Sequence, residues 1–322
     1  MPDYMTLLDI AIRTGNDQVV GLIEETFKNV PELSGNSLIL NNNVTIPNVG
    51  ASRTIKGRTY KTLIRTALPT VGFRNANEGT AATKSTYENR TVETYIMNPK
   101  WRADKAVADS SEDGPEAEIA LEAAAHTQAA QQALSRQFYY GTNTTYSGDA
   151  KGHPGLIDSV NASYVVDAGG TTANTGSSVW AVKFGLKDVI WVWGQNGMLD
   201  LSEVDLRDVL DSDSNPFTAY CQELFGYPGL QVASPRCIGR IKKLTEDSGK
   251  GLTDDLTAAL LMKFPTGIVP DVFFMTKRSL KQLRDSRTAT NATGAPAPFP
   301  TESHGIPIAL TEGLVDTEAL TL

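Results

Sequence analysis

Two cysteines, three histidines and no long apolar run are a poor inventory for chemistry in a chain of 322 residues. Cys221 and Cys237 stand too far apart for a CxxC redox or zinc pair, so two reduced, half-buried thiols are expected. No stretch approaches the ~18–20 apolar residues a membrane-spanning helix needs, and no membrane association is expected. The opening "MPDYMTLLDIAIRTGND" has acids early and no basic segment, which argues against a signal peptide. HExxH, GxSxG, GxxxxGK[ST] and GxGxxG strings are absent. His126, His153 and His304 are scattered, and each is expected to be structural or solvated. "DSGKGLTDD" lacks the rest of a phosphate loop. "DSDSNP" at 211–216 has Pro216 where a calcium loop needs glycine and Gln222 where it needs a bidentate glutamate. No enzyme, cofactor or metal site is expected.

Charge is short on one side. The formal net charge is −8, the wrong sign for a protein whose main task is to grip phosphates. Its distribution says more than its sum. Residues 51–105 hold eleven lysines and arginines (Lys56, Arg58, Lys61, Arg65 and Arg74 among them) against four acids. Residues 106–135 hold six acids, including Glu112, Asp113, Glu116 and Glu118, and no lysine or arginine. A basic block abuts an acidic one, which suits either a single fold or recognition between copies.

Periodicity outlines the elements. Residues 5–30 read as two short helices, with Gly15 between them and an apolar stripe of Val19, Val20, Leu22, Ile23 and Phe27 on the second. "SRTIKGRTYKTLIRTALPTVGF" and "TKSTYENRTVETYIMNPKW" read as two long strands joined by a small polar link. Neither has a clean apolar face. A hairpin so long is marginal alone and is expected to lie across another surface as an arm.

The most strongly marked helix is Pro115 to Phe138. Proline opens it, Glu116, Glu118 and Glu122 sit near the positive end of its dipole, and alanine, leucine and glutamine fill the body. Gly141 is placed to leave the helix in a left-handed conformation. His153-Pro154-Gly155-Leu156 reads as a type II turn leading to a strand at Leu156-Ile157. "VIWVW", "DVFFM" and "IPIAL" read as buried strands, and "TKRSLKQLRDSR" as a helix. Strands and helices mix without a βαβ rhythm, so the fold class is α+β.

Taken in order along the chain, these strings resemble the major capsid proteins of tailed bacteriophages, which share the Hong Kong 97 capsid fold. The resemblance rests on "LLDIAIRTGNDQVVGLIEE", "YKTLIRTALPTVGFRNANEGTAATKSTYENRTVETYIM", "DKAVADSSEDGPEA", "FYYGTN" with "GHPGLIDSV", "LFGYPGLQVASPRCIGRIKKL", "VFFMTKRSLKQLRDS" and "HGIPIALTEGL". It implies an N-terminal arm at 1–50, a hairpin or E-loop at 51–105 that reaches over an adjacent subunit, and a peripheral domain with a spine helix at 106–160. An axial domain at 161–300 and a closing strand at 301–322 that returns to the peripheral domain complete the implied plan.

The same resemblance implies a protein that assembles with itself, as hexamers and pentamers, into an icosahedral shell around double-stranded DNA held without sequence-specific binding. Portal, scaffolding and decoration proteins of the phage are the implied partners. The virion is its place, after assembly in the bacterial cytoplasm. Lys56, Arg58, Lys61, Arg65 and Arg74 of one copy are then expected to meet Glu112, Asp113, Glu116 and Glu118 of another. A cellular encapsulin shell enclosing protein cargo is the alternative, and a ligand loop at 141–155 is the distant one.

Overall fold

The computed structural model describes residues 28–39, 42–146, 148–195, 197–289 and 295–321, together with positions 7, 9, 13, 25 and 26. Of the two helices expected in residues 5–30, Leu7, Asp9 and Arg13 are helical, and the remainder lies outside the described residues.

The chain begins with a one-turn helix α1 (Pro31–Ser34) and a small hairpin of β1 (Asn36–Ile39) and β2 (Asn42–Thr45). A short β3 (Ser52–Thr54) leads to the hairpin β4 (Thr59–Ala67) and β5 (Thr86–Glu93). After β6 (Lys100–Asp104) and α2 (Lys105–Ala108) comes the 26-residue helix α3 (Pro115–Tyr140), about 39 Å long at ~1.5 Å per residue. It starts where the sequence indicates and runs two residues further.

A short α4 (Leu156–Ser159) follows, then β7 (Val165–Asp167), β8 (Ser177–Val182) and β9 (Val189–Trp193). Next are β10 (Asp200–Leu201) and a second hairpin of β11 (Asp205–Leu210) and β12 (Pro216–Phe225). The chain closes with β13 (Pro228–Val232), β14 (Ile238–Leu244), α5 (Asp254–Leu261), β15 (Val272–Met275), α6 (Lys277–Ala289), β16 (Glu302–Ser303) and β17 (Ile306–Leu310).

A mixed six-stranded sheet, in the order β16-β17-β15-β8-β14-β7, organises the core. Both of its faces are covered, which is why "VWAV" of β8 and "VFFM" of β15 are unbroken apolar runs. Strand alternation then sorts the side chains. Trp180, Val182 and Phe274 face one cluster with Phe138, Tyr139 and Tyr140 from the end of α3 and with Trp191 and Trp193 from β9. Val179, Ala181, Phe273 and Met275 face the other, under Leu260 of α5 and Leu280 and Leu283 of α6. Fully burying a large apolar side chain is worth about 1.5–3 kcal/mol, so these two layers hold the body together. β3, β9 and β13 form a second sheet, and β6 and β10–β12 a third.

Three details depart from the sequence reading. The stretch after Pro154-Gly155 is the helix α4 and no strand, because Asp158 accepts the backbone N–H of Gly155 at 2.9 Å and caps a helical turn. Gly141 has the expected positive φ of 52°, yet its ψ of −121° takes it out of the left-handed helical region. The closing strand β17 pairs in parallel with β15 and so completes the sheet built from residues 165–275. What reaches back to the long helix is the segment just beyond it: Tyr140 donates to Glu318 at 2.8 Å and receives the backbone N–H of Val315 at 3.0 Å.

Candidate functional site

The β4–β5 hairpin is antiparallel from Thr59 opposite Glu93 to Arg65 opposite Tyr87, with a bulge between Arg65 and Ala67. Threonine, lysine, arginine and tyrosine populate both of its faces and Leu63 is exposed, so it has no core of its own. Its base is fastened. Val92 packs with Ile55, Ile190 and Val192. Arg90 donates to the carbonyls of Val232 (3.2 Å) and Ala233 (3.0 Å), and Tyr60 donates to the side-chain oxygen of Gln231.

Beyond Ala67 the side chains of the tip are exposed almost throughout. Arg74 donates to the carbonyl of Glu78 at 2.8 Å and Thr83 to that of Thr70 at 2.8 Å, both contacts within the tip. Lys56, Arg58, Lys61, Arg65 and Arg74 are all exposed. Arg65 lies over the ring of Tyr87, 5.4 Å from its centroid.

The acidic partners expected from the sequence divide. Glu112, Asp113 and Glu116, before and at the start of α3, are exposed. Glu118 is buried and committed within its own chain: it accepts from Ser111 at 3.0 Å and from Arg13 at 3.1 Å. Arg13 also pairs with Glu122. Of the nine charges singled out, eight lie on the surface, and the structure of one chain brings no basic member against an acidic one.

Beside Glu116 a groove of about 1100 Å3 runs between α3 and the β10–β12 sheet. Ile119, Ala120 and Ala123 line one wall, and Leu201, Val204 and Leu206 the other. The lining is mainly apolar because α3 presents small residues there, and because β10, β11 and their connection point large apolar side chains outward. Sequence reasoning saw alanine only as helix-forming filler of the body of α3 and missed the groove. The out-turned apolar residues of 201–206 were the available signal.

Elsewhere the polar chemistry is structural. His126 stacks on Trp101 with ring centroids 4.5 Å apart. His304 contacts the carbonyl of Asp254 at 3.1 Å. His153 is buried edge-on against Trp191, and burial lowers its pKa to about 4. Burial and the neighbouring Asp188 push the Cys237 thiol up to about 12, which makes it a poor nucleophile. Gln137 reaches into the 141–155 loop and donates to the carbonyls of Asp149 (3.1 Å) and His153 (2.6 Å), filling that space with the chain's own side chain. Among the described residues no cluster of three histidine, cysteine or acidic side chains has metal-binding geometry, and no helix is long and apolar enough to cross a membrane.

Comparison with known proteins gives this geometry a context. The family model of the major capsid protein GP7 matches residues 38–321. The chain is similar to the near-atomic structure of bacteriophage epsilon15, with a TM-score of 0.69 and 23% identity, covering 99% of this chain and 97% of that one. The capsid of Myoviridae phage XM1 matches with a TM-score of 0.46 and 14% identity over 72% of this chain and 98% of that one. A chain from Mycobacterium phage Adephagia matches with a TM-score of 0.46 and 11% identity over 74% and 97%. No curated protein matches the sequence.

Proposed function

The chain belongs to the family of the major capsid protein GP7, and from that membership we propose how its surfaces build a shell. It is a capsid protein of tailed-phage type with the Hong Kong 97 fold, a structural component of the virion. The observation that carries this reading is the family match over residues 38–321; the fold likeness across nearly the whole of both chains agrees with it.

Beyond that, the reading is of a subunit that forms hexamers and pentamers of a closed icosahedral shell around double-stranded DNA and performs no catalysis. Portal and scaffolding or decoration proteins join it during assembly in the bacterial cytoplasm. A net charge of −8 suits a container whose wall must not grip packaged DNA. The division of labour follows the resemblance: an arm at 1–50, an E-loop at 51–105, a peripheral part at 106–160, an axial part at 161–300, and a closing segment at 301–322.

In this scheme the exposed Lys56, Arg58, Lys61, Arg65 and Arg74 of one copy face Glu112, Asp113 and Glu116 of the next. Glu118 takes part only indirectly, by holding the start of α3 in place through Ser111 and Arg13. Electron microscopy of the expressed protein, alone and with its genomic neighbours, tests the function. Closed shells are the expected result, and a monomer under every condition sinks it.

A further inference from the structure

At the root of the β4–β5 hairpin a cleft of about 430 Å3 opens between the arm and the body of the same chain. Arg65 and Arg90 come to it from the hairpin, Asn161 and Ser163 from the turn before β7, and Ser234 and Arg236 from the segment between β13 and β14. Three of the lining residues are arginines and none is acidic. In a chain of net charge −8 this is a local positive excess that the chain does not neutralise, for none of the three forms an ion pair among the described residues. Like charges set across one cleft repel, so folding by itself favours no such gathering.

The donors are unspent as well. Arg90 gives Nη1 to the carbonyls of Val232 (3.2 Å) and Ala233 (3.0 Å), which fixes the guanidinium and leaves its Nε–Nη2 edge without a partner among the described residues. That edge is a fork for two oxygens side by side. Arg236 is exposed, and only its backbone N–H is used, donating to Ser234 Oγ at 3.3 Å. Asn161 accepts the Ser163 N–H through Oδ1 at 2.9 Å, so its side-chain amide group remains to donate. Arg65, over the ring of Tyr87, adds the third charge.

We propose that this cleft binds a phosphate group, held between Arg90 of the arm and Arg236 of the body. Chemistry chooses phosphate over carboxylate. A carboxylate carries one charge and fills one arginine fork, whereas a phosphate offers acceptors in several directions and a diphosphate or a strand adds further charge. Donors here converge from three segments of the chain, as a tetrahedral anion requires. The phosphate is either a free inorganic anion or part of a nucleic-acid backbone, and the contacts are the same for both.

The consequence is mechanical. The hairpin is marginal by itself, and one wall of the cleft belongs to it while the other belongs to the body. An anion that bridges the walls ties the root of the arm down, so occupancy sets how firmly the arm is held. The inference goes beyond the shell reading and does not depend on it, since every group belongs to one chain.

The test is calorimetric titration of the unassembled full-length chain, at constant ionic strength in chloride, with inorganic phosphate, inorganic diphosphate and a short single-stranded oligodeoxynucleotide. Diphosphate should bind saturably. Arg236→Ala should fold as the parent does and weaken that binding by about ten-fold or more. Lys281→Ala removes an exposed cation of α6 outside the cleft and should leave the affinity unchanged. Diphosphate should also slow hydrogen exchange of the β4 and β5 amides in the parent and not in Arg236→Ala.

The oligonucleotide identifies the source. Tighter binding than diphosphate, through Arg236, assigns the cleft to a strand, and binding no tighter assigns it to the free anion; both support the phosphate site. No saturable binding of any of the three probes overturns it, and so does binding that Arg236→Ala leaves intact. Binding without slower exchange keeps the site and overturns the bridge. An oligoglutamate peptide that binds through Arg236 more tightly than every phosphate probe assigns the cleft to acidic peptide and overturns the phosphate. None of these results bears on shell formation, so the shell reading stands or falls separately.

Discussion

The indole N–H of Trp191 donates to the backbone carbonyl of Glu32 at 2.9 Å, and the same ring meets His153 edge-on at 5.6 Å between centroids. One tryptophan therefore separates two buried titratable groups. Burial raises the Glu32 carboxyl to about 7, although Thr311 and Tyr139 both donate to its Oε1, the latter at 2.5 Å. Burial also lowers His153 to about 4. The first residue joins the arm segment α1 to the core, and the second holds the turn before α4.

These groups act on stability with opposite signs. Between about pH 4.5 and 7 the native state keeps a proton on Glu32 that the unfolded chain has released, so that contribution grows as pH falls. Between about pH 6.5 and 4 the unfolded chain protonates His153 and the native state does not, so that contribution shrinks as pH falls. The windows overlap, and the parent protein should show little net pH dependence from this pair. Glu32→Gln should unmask the histidine, with stability falling as pH drops from 6.5 toward 4. His153→Phe should unmask the glutamate, with stability falling as pH rises from 4.5 to 7. Each slope should approach about 1.4 kcal/mol per pH unit. Denaturant midpoints followed by tryptophan fluorescence across pH 4–8 check both, and two flat profiles refute the assignment.

Arg240 and Glu318 form a buried ion pair at 3.1 Å, with Ser178 and Tyr140 donating to the same carboxylate. Glu318→Ala strands a buried guanidinium and should destabilise the fold by about 3–5 kcal/mol. Arg240→Ala should cost a similar amount, and the double variant much less than the sum. Equilibrium unfolding of the three variants gives the coupling; full additivity would mean that the pair does not fasten the closing segment.

Gly141 and Gly155 touch where the long helix ends. A side-chain carbon at Gly141 would lie 2.2 Å from the backbone nitrogen of Gly155 and 2.1 Å from Asp158 Oδ2. Gly141→Ala should therefore cost more than about 3 kcal/mol, from positive φ and overlap together. Gly72→Ala at the arm tip meets open space and should leave thermal stability within a degree or so of the parent. Equal melting temperatures for the two variants would contradict this packing.

Glu116 and Glu118 are two residues apart and should fail differently. Glu116→Lys, alone or with Glu112→Lys, should leave the monomer folded and impair assembly, and Arg65→Glu should restore part of the loss. Each exposed pair is worth only about 0–1 kcal/mol, so the effect shows through repetition over a shell. Glu118→Lys sets two buried or half-buried cations against each other, Arg13 and the new lysine, and should be read first as a folding defect in circular dichroism. Parental shell yields from Glu112→Lys/Glu116→Lys would remove the ionic contact from the scheme.

Much of the α+β body was legible beforehand. Pro115, the early glutamates and the alanine-rich run mark α3 because they are local signals, and "VIWVW", "DVFFM" and "IPIAL" mark strands because buried strands need no polar face. The α5 helix and the β11–β12 hairpin were not read. Asp254–Leu261 is short, and Asp205–Leu210 turns Leu206 and Leu210 outward with only Val209 buried, so a core-seeking pattern cannot find it. The two expected long strands of the arm are also shorter than their β-forming composition, because beyond Ala67 no partner residue supports the ladder.

Local physics settled which segments are helix or strand, where the charge blocks lie and which large side chains must be buried, since those follow from propensity, period and composition. Tertiary packing decided the rest. It sent β17 into the central sheet, took Glu118 out of the candidate interface, buried Glu32 and His153 on either side of one indole, and set Arg90 of the hairpin and Arg236 of the body around one cleft. Such outcomes depend on contacts between residues a hundred or more positions apart, and no pattern within a window of sequence carries them.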